Sequence, residues 1–184
     1  MLRPALAADF GFIRTLVQRP EYSAYLTDED EQALAQYAAG PSTRVLIWQN
    51  PQGLAAGFAL FCDIGAASGA VELRRLALAE TGTGQGAVFL NALIDYGFTN
   101  LGAQRLWLDA SGENLRAQRV YTRAGFTLEG RLRQHWYRPS LGRTVDLMLY
   151  GMMRDEWHPV TPPCGPPALA LHLAQDQLGA RDGG

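Results

Sequence analysis

One stretch limits the fold more than any other: LALAETGTGQGAVFL, running from Leu76 to Leu90. Apolar residues in alternation read as a strand, three glycines interrupt it, and an apolar helical pattern follows. Glycine at such a junction lets the chain turn sharply and brings backbone N–H groups to the mouth of the helix, where an anion is favoured. A phosphate-holding turn is the first expectation. Which phosphate it holds depends on the rest of the chain.

An ATP-type P-loop needs Lys followed by Ser or Thr after its last glycine, and here Gly86 is followed by Ala87 and Val88. The chain has no lysine at all; its sixteen basic residues are all arginine, so Schiff-base chemistry is excluded as well. A dinucleotide fingerprint is satisfied by Gly82-x-Gly84-x-x-Ala87, with Asp109 at the end of the next strand as the ribose acid. That reading also requires further strand–helix units, and only one follows. It requires a parallel sheet, whereas a hairpin precedes the glycine turn.

The pass along the chain gives Leu2–Pro4 as a short strand, Ala8–Gln18 as a helix, and a second helix from Thr27–Glu31 with Asp28 and Glu31 as its capping box. Arg44–Trp48 and Leu54–Cys62 form a hairpin through Asn50–Gly53. Strand Val71–Leu78 leads to helix Gly84–Phe98. Strand Arg105–Asp109 leads to helix Asn114–Ala124, stopped at Gly125. Strands Phe126–Trp136 and Thr144–Met152 complete the domain, which spans 1–158. Residues 159–184 begin with a Pro-rich linker, and Ala168–Leu178 has the spacing of a short helix.

With 184 residues, a net charge of −2 and two widely spaced cysteines, the composition is that of one globular domain in a reducing compartment; the cytoplasm is the expectation. No apolar run would span a bilayer, and Pro4 and Asp9 interrupt any export signal. Nucleic acid is not indicated by the charge. His135, His158 and His172 are scattered, so no metal site is expected.

After the glycine turn comes Asn114-Leu-Arg-Ala117-Gln-Arg-Val-Tyr121-Thr-Arg-Ala-Gly125-Phe126. This resembles the second signature of the GNAT acyltransferases, N-x-x-A-x-x-x-Y-x-x-x-G-F. The turn resembles their first, Q/R-x-x-G-x-G/A, with Thr81 in the Q/R place. The element order β-α-α-β-β-β-α-β-α-β-β is similar to theirs. The resemblance implies an α/β fold: a mixed, mostly antiparallel sheet of about seven strands, flanked by helices and splayed between strands 4 and 5. The texture of Phe98, Arg105–Leu108, Glu129-Gly130 and Arg154–Trp157 resembles the branch that acetylates ribosomal-protein N-termini and its relatives.

The resemblance implies acetyl-CoA as co-substrate and a primary amine, on a protein N-terminus or a small molecule, as acceptor. The cofactor contacts it implies are Leu76, Ala77, Leu78, Thr81, Gly82, Thr83, Gly84, Gln85, Gly86, Ala87, Asn114 and Tyr121, with a backbone N–H near Leu78 polarising the thioester carbonyl. Thr81 departs from the signature and offers no long polar side chain, so backbone amides hold the diphosphate. Tyr121 is the implied acid for the departing thiolate; Glu72 and Asp109 are the two candidate bases.

Thr27–Glu31, Tyr22, Tyr25, Trp136 and Tyr137 are candidates to border the acceptor. Arg116, Arg119 and Arg123 share a helix face and suit either solvent or an anion. The tail helix and last hairpin are candidate dimer contacts. Two other readings stand beside the enzyme: a non-catalytic acyl-CoA-binding module of the same fold, and an NAD(P)-binding oxidoreductase.

Overall fold

The computed structural model describes residues 1–82 and 84–159. Thr83 and the expected tail helix lie outside the described residues. The elements are β1 (Leu2–Pro4), α1 (Phe10–Val17), α2 (Pro20–Ser23), α3 (Glu31–Ala39), β2 (Arg44–Gln49), β3 (Ala55–Cys62), β4 (Ala70–Leu78), α4 (Gln85–Thr99), β5 (Arg105–Ser111), α5 (Leu115–Arg123), β6 (Thr127–Arg138) and β7 (Arg143–Met153). The seven strands form one sheet in the order β1-β2-β3-β4-β5-β7-β6. Every pairing is antiparallel except β4 with β5. A single parallel pair overturns the dinucleotide reading, which needs a parallel sheet.

Both faces of the sheet are covered, which is why β2 and β3 are apolar on successive residues rather than alternating. Val45, Ile47, Phe58 and Leu60 pack with Phe10, Ile13, Leu16 and Leu34 of α1 and α3. Leu46, Ala59 and Phe61 face the other way, toward Phe89, Leu90, Leu93 and Phe98 of α4. Burial of a large apolar side chain is worth about 1.5–3 kcal/mol, so these two layers fix the sheet between its helices.

β4 changes its apolar parity part-way. Val71 and Leu73 face the α4 layer, then Leu76 and Leu78 do. The register explains the switch: Leu60 pairs with Arg75 and Phe61 with Leu73, so Arg74 is the extra residue of a β-bulge. A bulge bends and twists its strand. Just before it, β4 stops pairing with β5: the register runs only Ala70–Arg105, Val71–Leu106 and Glu72–Trp107. Beyond Trp107, β5 stays with β7 as far as Ser111. The two strands part into a V.

Several local expectations shift. The first helix is entered through a 3₁₀ turn at Ala7–Asp9. There the Asp9 carboxylate accepts the Leu6 N–H at 2.8 Å and pairs with Arg3. The extra helix α2 starts at Pro20, whose fixed φ suits a first helical turn. The cap of α3 is Asp30, which accepts the Ala33 N–H at 2.8 Å. Asp28 is not the cap; it binds Arg14 and Gln18 of α1. α5 ends at Arg123 with Ala124 as its C-cap, and Gly125 follows at φ +99°. No helix among the described residues is long and apolar enough to cross a membrane.

The corrected cap separates two similar variants. Asp30→Ala is expected to lower unfolding free energy by about 1 kcal/mol. Asp28→Ala, which loses only a surface pair, is expected to change it by less than about 0.5 kcal/mol. Urea denaturation of both checks this, and the opposite ranking would return the cap to Asp28.

Candidate active site

The V between β4 and β5 opens into a cleft of about 750 Å³. One end is walled by Leu76, Ala77 and Leu78 of β4, by Thr81 and Gly86 of the glycine turn, and by Asn114, Ala117 and Tyr121 of α5. Tyr22 and Tyr25, Glu72, Asp109, His135 and Trp136 also line it. The signature residues expected at positions 76–78, 81, 86, 114 and 121 are thus brought to one space, together with both candidate bases. Gly82, Gly84, Gln85 and Ala87 are exposed beside it and do not line it.

The glycine turn has the conformation its sequence demands. Gly82 and Gly84 sit at φ +89° and +79°, where a side chain is strained. Gly84 is the N-cap of α4 and supplies no side-chain acceptor, so the first N–H groups of α4 are left for another partner. A Cβ at Gly82, Gly84 or Gly86 would meet nothing within 4 Å, so the space before the turn is open. An exposed glycine turn at the start of a helix whose N-cap offers no side-chain acceptor, beside a parted strand pair, fits a diphosphate with its arm running into the cleft.

Asn114 caps α5, its side chain accepting the Ala117 N–H at 3.1 Å. That cap starts the helix whose buried face carries Tyr121 into the cleft wall. Tyr121 packs against Phe126 and Tyr150. Among the described residues its hydroxyl has no hydrogen-bond partner. Burial pushes the phenol well above its ordinary pKa, and the charge of Asp109 acts the same way.

The two acids differ sharply in their surroundings. Glu72 is buried and accepts Arg74 Nε at 2.8 Å. Asp109 takes no hydrogen bond among the described residues. Burial pushes its carboxyl up to about 6, with the charge of Glu72 adding to the effect and Arg74, His135 and Arg75 opposing it. A nearby arginine thus occupies one acid and leaves the other poised near neutrality.

Three contacts had no signal in the sequence. The Tyr22 hydroxyl donates to the Leu78 carbonyl at 2.8 Å and accepts the Leu78 N–H at 3.1 Å. Arg19 donates to the Ala79 carbonyl at 2.6 Å. The Leu78 N–H therefore already has a partner. Arg138 is buried and donates to the carbonyls of Ser23, Ala24 and Leu26, with its guanidinium 4.0 Å from the Trp136 ring centroid. Tyr137 is exposed and does not line the cleft. Within the acidic run, Asp28 binds Arg14, Glu29 binds Arg75 and Asp30 caps α3. Arg116, Arg119 and Arg123 are exposed, and Arg116 borders the cleft.

Residues 1–127 match the family described as acetyltransferase (GNAT) domain. Among solved structures, spermidine N-acetyltransferase from Vibrio cholerae in complex with CoA and spermine is 21% identical; the match covers 85% of this chain and 96% of that one, with a TM-score of 0.77. The dodecameric structure of the Vibrio cholerae enzyme in an intermediate state is 21% identical, with 85% and 94% covered and a TM-score of 0.71. At these identities the structural likeness establishes the fold.

The state of Asp109 has a consequence for stability. Its folded pKa of about 6 lies above the 3.8 of an ordinary carboxyl, so the folded state binds the proton more tightly than the unfolded state does. Stability therefore falls as pH rises from about 4 to 6, and the penalty is complete above that. Asp109→Asn is expected to be more stable than the parent at pH 8, by on the order of 2 kcal/mol, and equal to it at pH 4. Urea unfolding at both pH values tests this; an equal gain at both would assign the effect to packing instead of charge.

Proposed function

Since the chain belongs to the GNAT acetyltransferase family, and is by that an acyltransferase, we propose that it moves the acetyl group of acetyl-CoA directly to a primary amine held in the same cleft. The observation that carries this reading is the pairing of an open glycine turn with a parted β4–β5, with Tyr121 and Asp109 on the walls between. When bound, acetyl-CoA supplies an activated acyl group. The N–H groups from Gly82 to Ala87 hold its diphosphate. The wall of β4 at Leu76–Leu78 receives its arm, with the Leu78 backbone held by the Tyr22 hydroxyl and with Asn114 and Tyr121 alongside.

The residues then have two proton tasks. An incoming amine is an ammonium near neutrality and attacks only after losing a proton. Asp109 is the base: it has no partner among the described residues, and a carboxyl of about 6 is ionised at physiological pH yet basic enough to take a proton. Glu72 is the weaker candidate because its carboxylate is occupied by Arg74; its part is to raise Asp109 by charge repulsion. Tyr121 is the acid. Burial keeps its phenol protonated, and its hydroxyl is free to donate to the departing thiolate.

The acceptor is read as a single amine, a peptide α-amine above all, consistent with the N-terminal acetylating branch. The named neighbours act on spermidine, a multiply charged amine. Here two of the four acids lining the cleft are already paired, Glu72 with Arg74 and Glu113 with Arg143. Arg74, Arg75 and Arg116 line it as well. Asp109 and Glu21 remain, beside Tyr22, Tyr25 and Trp136, which favours one ammonium on an apolar body over a polycation. An α-amine, with a pKa of about 8, also gives up its proton more easily than an alkylamine.

Free-thiol release from acetyl-CoA, measured with short peptides and with spermidine, tests the reading. Tyr121→Phe is expected to lower kcat about 100-fold with CoA affinity nearly unchanged. Unaltered turnover would remove Tyr121 from the chemistry, and tight CoA binding without turnover on any amine would favour a binding module. Gly84→Ala places a side chain at φ +79° and is expected to weaken CoA association about tenfold in calorimetry, the cost of distorting the turn being on the order of 1 kcal/mol. An undiminished association would take the diphosphate away from this turn.

A further inference from the structure

A regular strand cannot put two successive side chains on one wall, because they point to opposite faces. His135 and Trp136 of β6 nevertheless both line the cleft. The alternation fails because the register against β7 slips between Leu132 and Trp136. Within the slip, Gln134 sits at φ +48°, in the left-handed region that residues other than glycine seldom take. The irregularity is braced. The Gln134 N–H donates to Asp146 Oδ1 at 2.7 Å, and the same carboxylate accepts Arg131 Nε at 2.6 Å. Beyond it, Trp136 is covered by the guanidinium of Arg138. Strain supported on both sides marks a feature with a purpose, and bulges beside active sites commonly re-aim a side chain. Here the side chain delivered to the cleft is an imidazole.

Asp109 lines the same cleft. The charged and titratable groups acting on it or on its neighbour Tyr121 are Glu72, Arg74 and Arg75 of β4, His135 of β6, and Tyr150 of β7. Arg74 is paired with Glu72 and Arg75 with Glu29. Tyr121 is buried, and its resting phenol is protonated. His135 is exposed to solvent. In this set His135 alone both reaches water and carries ring nitrogens that can accept and release a proton.

We propose that His135 is a positioning residue that resets Asp109 between turnovers by carrying its proton to solvent. The proposal rests on the reading of Asp109 as base. The proton balance is simple. The Asp109 carboxylate takes one proton from the substrate ammonium and becomes a carboxylic acid. The acid passes that proton, through water in the cleft they share, to the neutral His135 imidazole and is a carboxylate again. The imidazolium then releases it to water. No electrons change hands, and both side chains end as they began.

The test uses the full chain with acetyl-CoA and a short peptide as the amine, comparing the parent with His135→Ala and His135→Gln. The expected result is a kcat about tenfold lower in both variants, with KM for acetyl-CoA unchanged. Added imidazole is expected to restore the rate of His135→Ala and to leave the parent unaffected. In carboxyl-labelled protein, the NMR titration midpoint of Asp109 is expected to rise in both variants, because a neighbouring positive charge is lost. An unchanged kcat and pH profile in His135→Ala overturns the proposal. A fall in kcat without imidazole rescue and with an unmoved Asp109 midpoint also overturns it, marking His135 as a structural part of the bulge. A parent enzyme inert on every amine tested would instead sink the underlying base assignment, and the NMR coupling would still report on the pair.

Discussion

The structure depends on β4 and β5 coming apart. Two strands in one sheet pair along their length unless something stops them, since each unpaired N–H and C=O loses a hydrogen bond. Here part of the loss is compensated on the β4 side. The bulge at Arg74 bends β4 away, and β5 follows β7 through Ser111. The freed edge of β4 is met by Tyr22 at Leu78 and by Arg19 at Ala79. A hydroxyl that donates to a carbonyl and accepts from the N–H of the same residue imitates a neighbouring strand. The end of the V is therefore tied to α2 and to the residue that precedes it.

The same bulge organises the charges. Arg74 is the extra residue, and it turns back onto Glu72 two positions earlier. Without that contact the cleft would contain two bare carboxyl groups, Glu72 and Asp109. With it, Glu72 is occupied by Arg74, and burial together with the Glu72 charge raises Asp109 to about 6. A pair of like groups pushed into different roles by their surroundings is a recurring solution in acid–base sites. The absence of lysine sharpens it, because the basic side chains that line the cleft beside His135, namely Arg74, Arg75 and Arg116, are all arginine.

Half of the cleft was legible in the sequence and half was not, and the division has a physical basis. The half proposed to take CoA draws its lining from two local stretches, Leu76–Leu78 with Thr81 and Gly86, and Asn114–Tyr121. Their turn chemistry, helix cap and apolar pattern are local properties, so each could be read directly. The parity switch from Val71 and Leu73 to Leu76 and Leu78 is also present in the residues as a sign of the bulge. Helix starts depend on tertiary contacts: Asp28 and Asp30 are equally good capping acids, and the competing grip of Arg14 and Gln18 on Asp28 decides between them. The clamp of Tyr22 on Leu78, and the placing of His135 and Arg138, had no local signal, because they exist only after distant segments meet.

Arg138 shows how the acceptor half is assembled. It is a buried cation with no carboxylate partner among the described residues; three backbone carbonyls of the α2 segment and the face of Trp136 take its place. Desolvation and the charge of Arg75 both act against its proton, yet a guanidinium cannot move its charge elsewhere. The cost is tolerated because the contact fixes two walls at once: the stretch carrying Tyr22 and Tyr25, and the bulged strand carrying His135 and Trp136. If this one tie sets the distance between those walls, acceptor size is governed by the hairpin and the α2 segment. The glycine turn and β4 can then remain constant in form while those two segments vary. A chain built this way keeps its acyl donor legible in sequence and leaves its acceptor to be read from the three-dimensional structure.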